Sequence, residues 1–221
     1  MKILAYTNPN CQGELITVYE ALRRRQSDPD NWERRIYYDI SRSRPMVAVK
    51  RVDGKKDSSS FSFQGEAGGG HGRGSKGVAH ELAQDFLCRQ TEFKFSLFRQ
   101  SFIATVQNAE EEVHIVDPYN PKRSAYVDVM LSLAQSCPLR VKFGKCIAIE
   151  ITDTHANTKK KEKLFKDLGI AALEIKIPTD WHIPNQSSVT TMELERLKRR
   201  IAGFWNSEVY AQYIHACARL K

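Results

Sequence analysis

The sequence predicts an α/β protein with a mixed sheet flanked by helices, and two strand-like runs and one crossover predict it. Ala125–Leu133 and Cys146–Thr152 are rich in Val, Ile and Leu at alternate positions, the pattern of strands with one aliphatic side. Thr158–Leu168 then reads as a helix closed by Gly169 at its C-cap, and Ile170–Ile177 returns as a strand. Strand, helix and strand at this length make a right-handed crossover, so the last two strands should run parallel.

Ahead of that crossover, residues 1–64 read as a small β-rich part. Leu15, Val18 and Leu22 share a helical face over Leu15–Arg25, Arg34–Ile40 and Met46–Val52 alternate, and Asp53-Gly54 is a hairpin signal. Residues 65–77 hold seven glycines and read as a linker or loop whose backbone is entropically costly to order. Gly72–Gly77 matches GxGxxG, but no good parallel strand precedes it, which disfavours a dinucleotide site, and no Walker sequence is present. The core is expected over 78–180. It opens with a helix, Val78–Gln90, followed by strands Phe102–Val106 and Val113–Val116 separated by an acidic turn, Glu110–Glu112. Residues 181–221 read as a helical extension. Thr190 and Glu193 form a capping box ahead of Leu194, Leu197, Ile201 and Phe204, and Asn206 or Ser207 would cap a final helix carrying Val209, Tyr213, Ile214, Cys217 and Leu220.

Composition narrows the function classes. The net charge of +8 over 221 residues attracts phosphates, although a basic surface can also be merely solvated. No run approaches the roughly 18 apolar residues of a membrane span, and the N-terminus does not read as a secretory signal. Five widely spaced cysteines form neither a disulfide framework nor a CxxC pair. A soluble, cytoplasmic protein with no membrane partner is expected.

The candidate site lies in the two strongest strands. With strict alternation, Ala125, Val127, Val129 and Leu131 point one way and Tyr126, Asp128 and Met130 the other; Ile147, Ile149 and Ile151 leave Glu150 and Thr152 opposite. A buried carboxylate needs a cation, a donor or water. Asp128 and Glu150 either face solvent, pair with Lys or Arg, or converge on one hard ion such as Mg²⁺. Lys159, Lys160, Lys161, Lys163 and Lys166 follow directly, and Arg196, Lys198, Arg199 and Arg200 form a second basic cluster; both are candidate phosphate contacts. His80 and Gln84, one helical turn apart, could face the same cleft, although packing or capping is the commoner role.

A helix, three strands with acids on the second and third, a helix and a further strand is the order of the PD-(D/E)XK nuclease superfamily. The run Cys146–His155 (CIAIEITDTH), with Lys159–Lys161, Leu164, Leu168-Gly-Ile170 and Leu173-Glu-Ile175, more narrowly resembles the competence protein CoiA-like family. Phe61-Ser-Phe63, His80 and Gln84 are fainter counterparts; the resemblance is good over about Val78–Pro178 and weak before it. It implies a DNA-directed, Mg²⁺- or Mn²⁺-dependent nuclease with Asp128 and Glu150 as metal ligands and Glu81 as an additional one. Thr152 stands where the superfamily has lysine, so Lys145, Lys159 or His155 would have to supply the cation that positions water. Otherwise the chain is a nuclease-fold DNA-binding or assembly protein without catalysis. The family's Cys-rich zinc element is absent. The C-terminal helices offer a surface for a protein partner or a second copy.

Overall fold

A computed structural model of the protein describes residues 2–10, 12–40, 43–53, 56–57, 59–64, 77–152, 158–183 and 185–215. The Gly-rich stretch 65–76, His155 and the tail beyond 215 lie outside them. In chain order the first elements are β1 Leu4–Tyr6, β2 Leu15–Thr17, α1 Val18–Ser27, α2 Pro29–Trp32, β3 Tyr37–Tyr38, β4 Pro45–Val49, β5 Val52–Asp53, β6 Lys56–Asp57 and β7 Ser60–Phe63. There follow α3 Val78–Cys88, β8 Glu92–Leu97, β9 Gln100–Asp117, β10 Asn120–Leu133, α4 Arg140–Phe143, β11 Cys146–Thr152, α5 Lys159–Leu168 and β12 Ala171–Lys176. The last are α6 Thr191–Asn206, β13 Val209–Tyr210 and β14 Gln212–His215. The protein is thus α/β, and no helix among the described residues is long and apolar enough to cross a membrane.

Residues Met1–Glu81 with His182–Arg199 form one compact unit, and Leu82–Trp181 with Arg200–Lys221 a second. The expected helical extension, 181–221, is therefore shared between the two units. In the first, a five-stranded antiparallel sheet in the order β2-β1-β3-β4-β7 buries Ile3, Leu4, Leu15, Ile16, Tyr37, Met46 and Phe61. Leu15 belongs to a strand, and α1 begins only at Val18, capped by the Thr17 hydroxyl, which accepts the Glu20 N–H. Arg24 binds Glu14 through both terminal nitrogens at 2.6 and 2.7 Å, which holds the Glu14 carboxyl below its ordinary value. The capping box stands: Thr190 N–H donates to Glu193 Oε2 at 2.9 Å, and Glu193 N–H donates to the Thr190 hydroxyl at 3.2 Å.

The second unit carries a seven-stranded sheet, β13-β8-β9-β10-β11-β12-β14. β8 to β11 form an antiparallel meander, and β12 runs parallel to β11 after the α5 crossover, as the sequence predicts. Phe165 of α5 packs on Val127, Ala148 and Ala172. Elsewhere in this unit Phe93, Phe95, Phe102, Phe143 and Trp205 meet as rings with centroids 5.1 to 6.1 Å apart. The expected acidic turn does not form. Glu110, Glu111 and Glu112 lie within one long strand, β9, where Glu112 takes a left-handed φ of 55° that bends the chain without reversing it.

The expected final helix is replaced, as far as residue 215, by two short strands. β13 pairs with β8 at one end of the sheet order and β14 with β12 at the other, yet only Ala211 separates them. Six strand spacings would span about 29 Å in a flat sheet, whereas Tyr210 and Gln212 are at most about 7 Å apart. The sheet therefore curls until one segment seals both edges. Val209 and Ala211 are buried while Tyr210 and Gln212 are exposed, a two-residue alternation that open edge groups select over the helical one.

Two glycines test these elements. Gly169 ends α5 at φ 63°, so Gly169→Val should lower the unfolding free energy by about 1–2 kcal/mol. Gly203 lies inside α6 with open space around an added Cβ, so Gly203→Ala should raise it by about 0.5–1 kcal/mol. Urea denaturation of both variants checks the signs.

Candidate active site on strands β10 and β11

β10 and β11 are neighbours, with Val129 opposite Ile149, Met130 opposite Ala148 and Leu131 opposite Ile147. One further step of that register brings Asp128 opposite Glu150, the adjacency the sequence predicts. The ladder stops there. Asp128 Oδ2 accepts the Ile151 N–H at 2.9 Å, so a side chain takes a donor that lies at the end of the ladder. On its other side, the pairing with β9 passes from Val127–Val113 to Val129–Glu111 and skips Asp128 and Glu112. Gln84 of α3, itself buried, donates to the Asp128 carbonyl at 2.9 Å and to Glu112 Oε1 at 3.1 Å. It thereby meets a main-chain acceptor whose loss would cost about 1–3 kcal/mol.

This irregularity corrects the expectation of strict alternation. Val127 and Met130, three positions apart, both pack in the cluster around Phe165. The alternation breaks at Asp128, where the left-handed Glu112 faces it.

Glu150 is 3% exposed. Its Oε2 accepts from the Lys161 ammonium, and that side chain keeps some exposure, 18%. Lys161 lies in the first turn of α5, three residues after the capping Thr158, whose hydroxyl accepts the Lys161 N–H at 3.4 Å. Glu174 stands beside Glu150 in the parallel register of β12, and Thr152 Oγ donates to Glu174 Oε1 at 3.0 Å. The site thus runs across adjacent strands as Glu112, Asp128, Glu150 and Glu174, with Gln84, Lys161 and Thr152 bonded into the row.

Several expected roles change. Lys145 is exposed and precedes Glu150 by five residues along the strand direction, about 17 Å. It is not the cation of this site; Lys161 is. Thr152 is committed to Glu174. Glu81 belongs to the first unit, where its Oε2 accepts the Ile3 N–H at 2.9 Å and its Oε1 lies 3.9 Å from Lys2 Nζ. Among the described residues, no three or more His, Cys, Asp or Glu groups converge as a metal cluster. Two strand carboxylates are nevertheless a hard-oxygen pair of the kind Mg²⁺ accepts while keeping water and phosphate as its other ligands. Arg200 is paired with Asp180, which neutralises part of the second basic cluster, while Lys159, Lys160 and Lys163 are exposed on α5.

The sequence reading missed the Lys161–Glu150 pair, Glu174 and the Glu112 bend. The first had a signal: Lys161 begins the stripe Lys161, Leu164, Phe165, Leu168, the sheet-facing side of α5.

Lys161→Met removes the ammonium beside a buried carboxylate. Unfolding free energy should fall by about 2–3 kcal/mol, less than for a fully buried pair because Lys161 touches water. Adding Glu150→Gln should recover part of the loss. A Lys161→Met protein as stable as the parent in urea would contradict the pairing.

No protein-family model matches the chain, and no curated protein or solved structure does either.

Proposed function

We propose that the chain is a divalent-metal-dependent DNA nuclease of the PD-(D/E)XK type, as its resemblance to the competence protein CoiA-like family implies. The observation that carries this reading is the placing of Asp128 and Glu150 on neighbouring strands, at the point where the ladder opens, with the Lys161 ammonium on Glu150. The meander of β8 to β11, one strand longer than the three expected, followed by a parallel β12 through α5 supports the mixed-sheet part of it.

Asp128 and Glu150 would hold Mg²⁺ or Mn²⁺, which when bound supplies Lewis acidity and a more acidic water. Lys161 takes the role that the superfamily gives to the position of Thr152. Its ammonium is delivered from a helix instead of the strand, and it orients Glu150 and offers a positive charge to a phosphate or an attacking water. Thr152 holds Glu174 in place. Lys159, Lys160 and Lys163, exposed beside the site, bind the phosphate backbone without reading bases.

A second reading has its own observation. Lys161 already balances Glu150, and such a self-neutralised pair suits a nuclease-fold protein that binds DNA without cutting it.

Cleavage of single-stranded, duplex and nicked DNA with Mg²⁺ or Mn²⁺ separates the two. Asp128→Ala and Glu150→Ala should each lower the rate by at least about a hundredfold, and Lys161→Ala should cost far more than Thr152→Ala when assayed below the melting point. Variants of Asp128 and Glu150 that cleave like the parent would move the site elsewhere. Salt-sensitive binding with no cleavage would establish the second reading.

DNA binding should weaken as salt rises. Replacing Lys159, Lys160 and Lys163 together by Ala should lower the slope of log affinity against log salt by about 2–3, equally for unrelated sequences. An unchanged slope would remove α5 from the interface.

A further inference from the structure

The first unit contains a pocket that the nuclease reading does not use. It encloses about 330 Å³ between α1, the segment around α2, β3 and β4. Three arginines line it, Arg25, Arg34 and Arg35, against one acidic residue, Glu33. Arg24, next along the helix, is neutralised by Glu14 and Glu20. The three pocket arginines are not: among the described residues none of them is ion-paired with a carboxylate. Arg25 instead donates to the Ala48 carbonyl at 3.3 Å, and Arg35 reaches the Thr7 carbonyl at 3.5 Å and Asn8 Oδ1 at 3.4 Å. These neutral acceptors orient the two side chains and leave their charge uncompensated.

The rest of the lining is flat and apolar. Trp32 is half-buried, with the Arg24 and Arg35 guanidiniums 4.9 and 5.4 Å from its ring centre. Val47 and Ala48 of β4 complete an aliphatic side, and Tyr37 is buried beneath. Burial pushes the Tyr37 phenol up, and the charges of Arg35, Arg25 and Arg24 pull it partly back. Guanidinium forks fit phosphate oxygens in pairs, and the apolar side that Trp32 forms with Val47 and Ala48 accepts an unsaturated ring. A volume near the lower bound for small-ligand sites suits one nucleotide unit.

We propose that this pocket binds a nucleoside monophosphate unit, with its phosphate on Arg25, Arg34 and Arg35 and its base against Trp32. The unit is either a free nucleotide or the 5′-phosphorylated end of a strand; the chemistry recognised is the same. The proposal stands apart from the nuclease reading, since no residue of the β10–β11 site takes part.

The test is titration calorimetry on the full chain in EDTA, with 5′-dAMP, deoxyadenosine, and one single-stranded oligonucleotide carrying either a 5′-phosphate or a 5′-hydroxyl. Arg34 is exposed, so Arg34→Glu should keep the parent's circular dichroism and melting point. The expected result is 5′-dAMP binding at least about tenfold tighter than deoxyadenosine, with a similar loss in Arg34→Glu. Trp32→Leu should weaken both ligands. The same phosphate and Arg34 dependence in the oligonucleotide pair would assign the strand end; its restriction to 5′-dAMP would assign the free nucleotide. Asp128→Ala should bind 5′-dAMP as the parent does, so a failed nuclease assay leaves this result intact. Absence of 5′-dAMP and 5′-phosphate binding, or binding unaffected by Arg34→Glu, would overturn the proposal.

Discussion

Glu150 is a carboxylate kept almost wholly from water between Ile149 and Ile151, and the second unit is arranged around the need to compensate it. The compensation comes from the first turn of α5, which brings the Lys161 ammonium down onto the strand. That turn carries Lys159, Lys160 and Lys161 at the end of the helix where the macrodipole is positive. Each such charge is unfavourable by about 0.3–1 kcal/mol in exposed helices, and a helix shaped for stability alone would place acids there. The Thr158 cap, Glu162 and the apolar stripe of Leu164 and Phe165 hold α5 in place despite this. The local conflict is offset by the buried carboxylate that Lys161 compensates.

The opening beside Glu150 has a separate cause. Glu112 occupies a backbone region costing a non-glycine residue about 1–2 kcal/mol, and its bend removes Asp128 from the β9 ladder. Gln84 satisfies the carbonyl left behind, and the Asp128 carboxylate takes the Ile151 N–H. Four groups from α3, β9, β10 and β11 thus share one defect. The bonds of the defect tie β10 to α3 and to β11.

Much of this was legible in the sequence. Cys146–Thr152 needed only its alternation of Ile with smaller residues, and α5 needed only Thr158 and Gly169 at its ends, because both elements follow from local chemistry. The adjacency of Asp128 and Glu150 followed from the meander. The Glu112 bend was not legible, since a left-handed glutamate has no compositional mark and a run of three acids resembles a turn. Residues 209–215 fit a helix stripe as well as a strand, and only the two open edges of the sheet decide between them. Lys161 lay between these cases: its place on the apolar stripe was readable, but its partner depended on how α5 crosses the sheet.

The segment 209–215 has a consequence for how the second unit is made. Synthesis proceeds from β8 toward β12, so both outer strands exist for the time taken to produce some thirty further residues before the segment that seals them appears. During that interval each presents unpaired main-chain groups, a template for pairing with other chains. Closure then joins residues more than a hundred positions apart, Phe95 with Val209, and such distant pairing is slow. The nascent chain is therefore most exposed to misassembly late in its production, when nearly all of its core is already present.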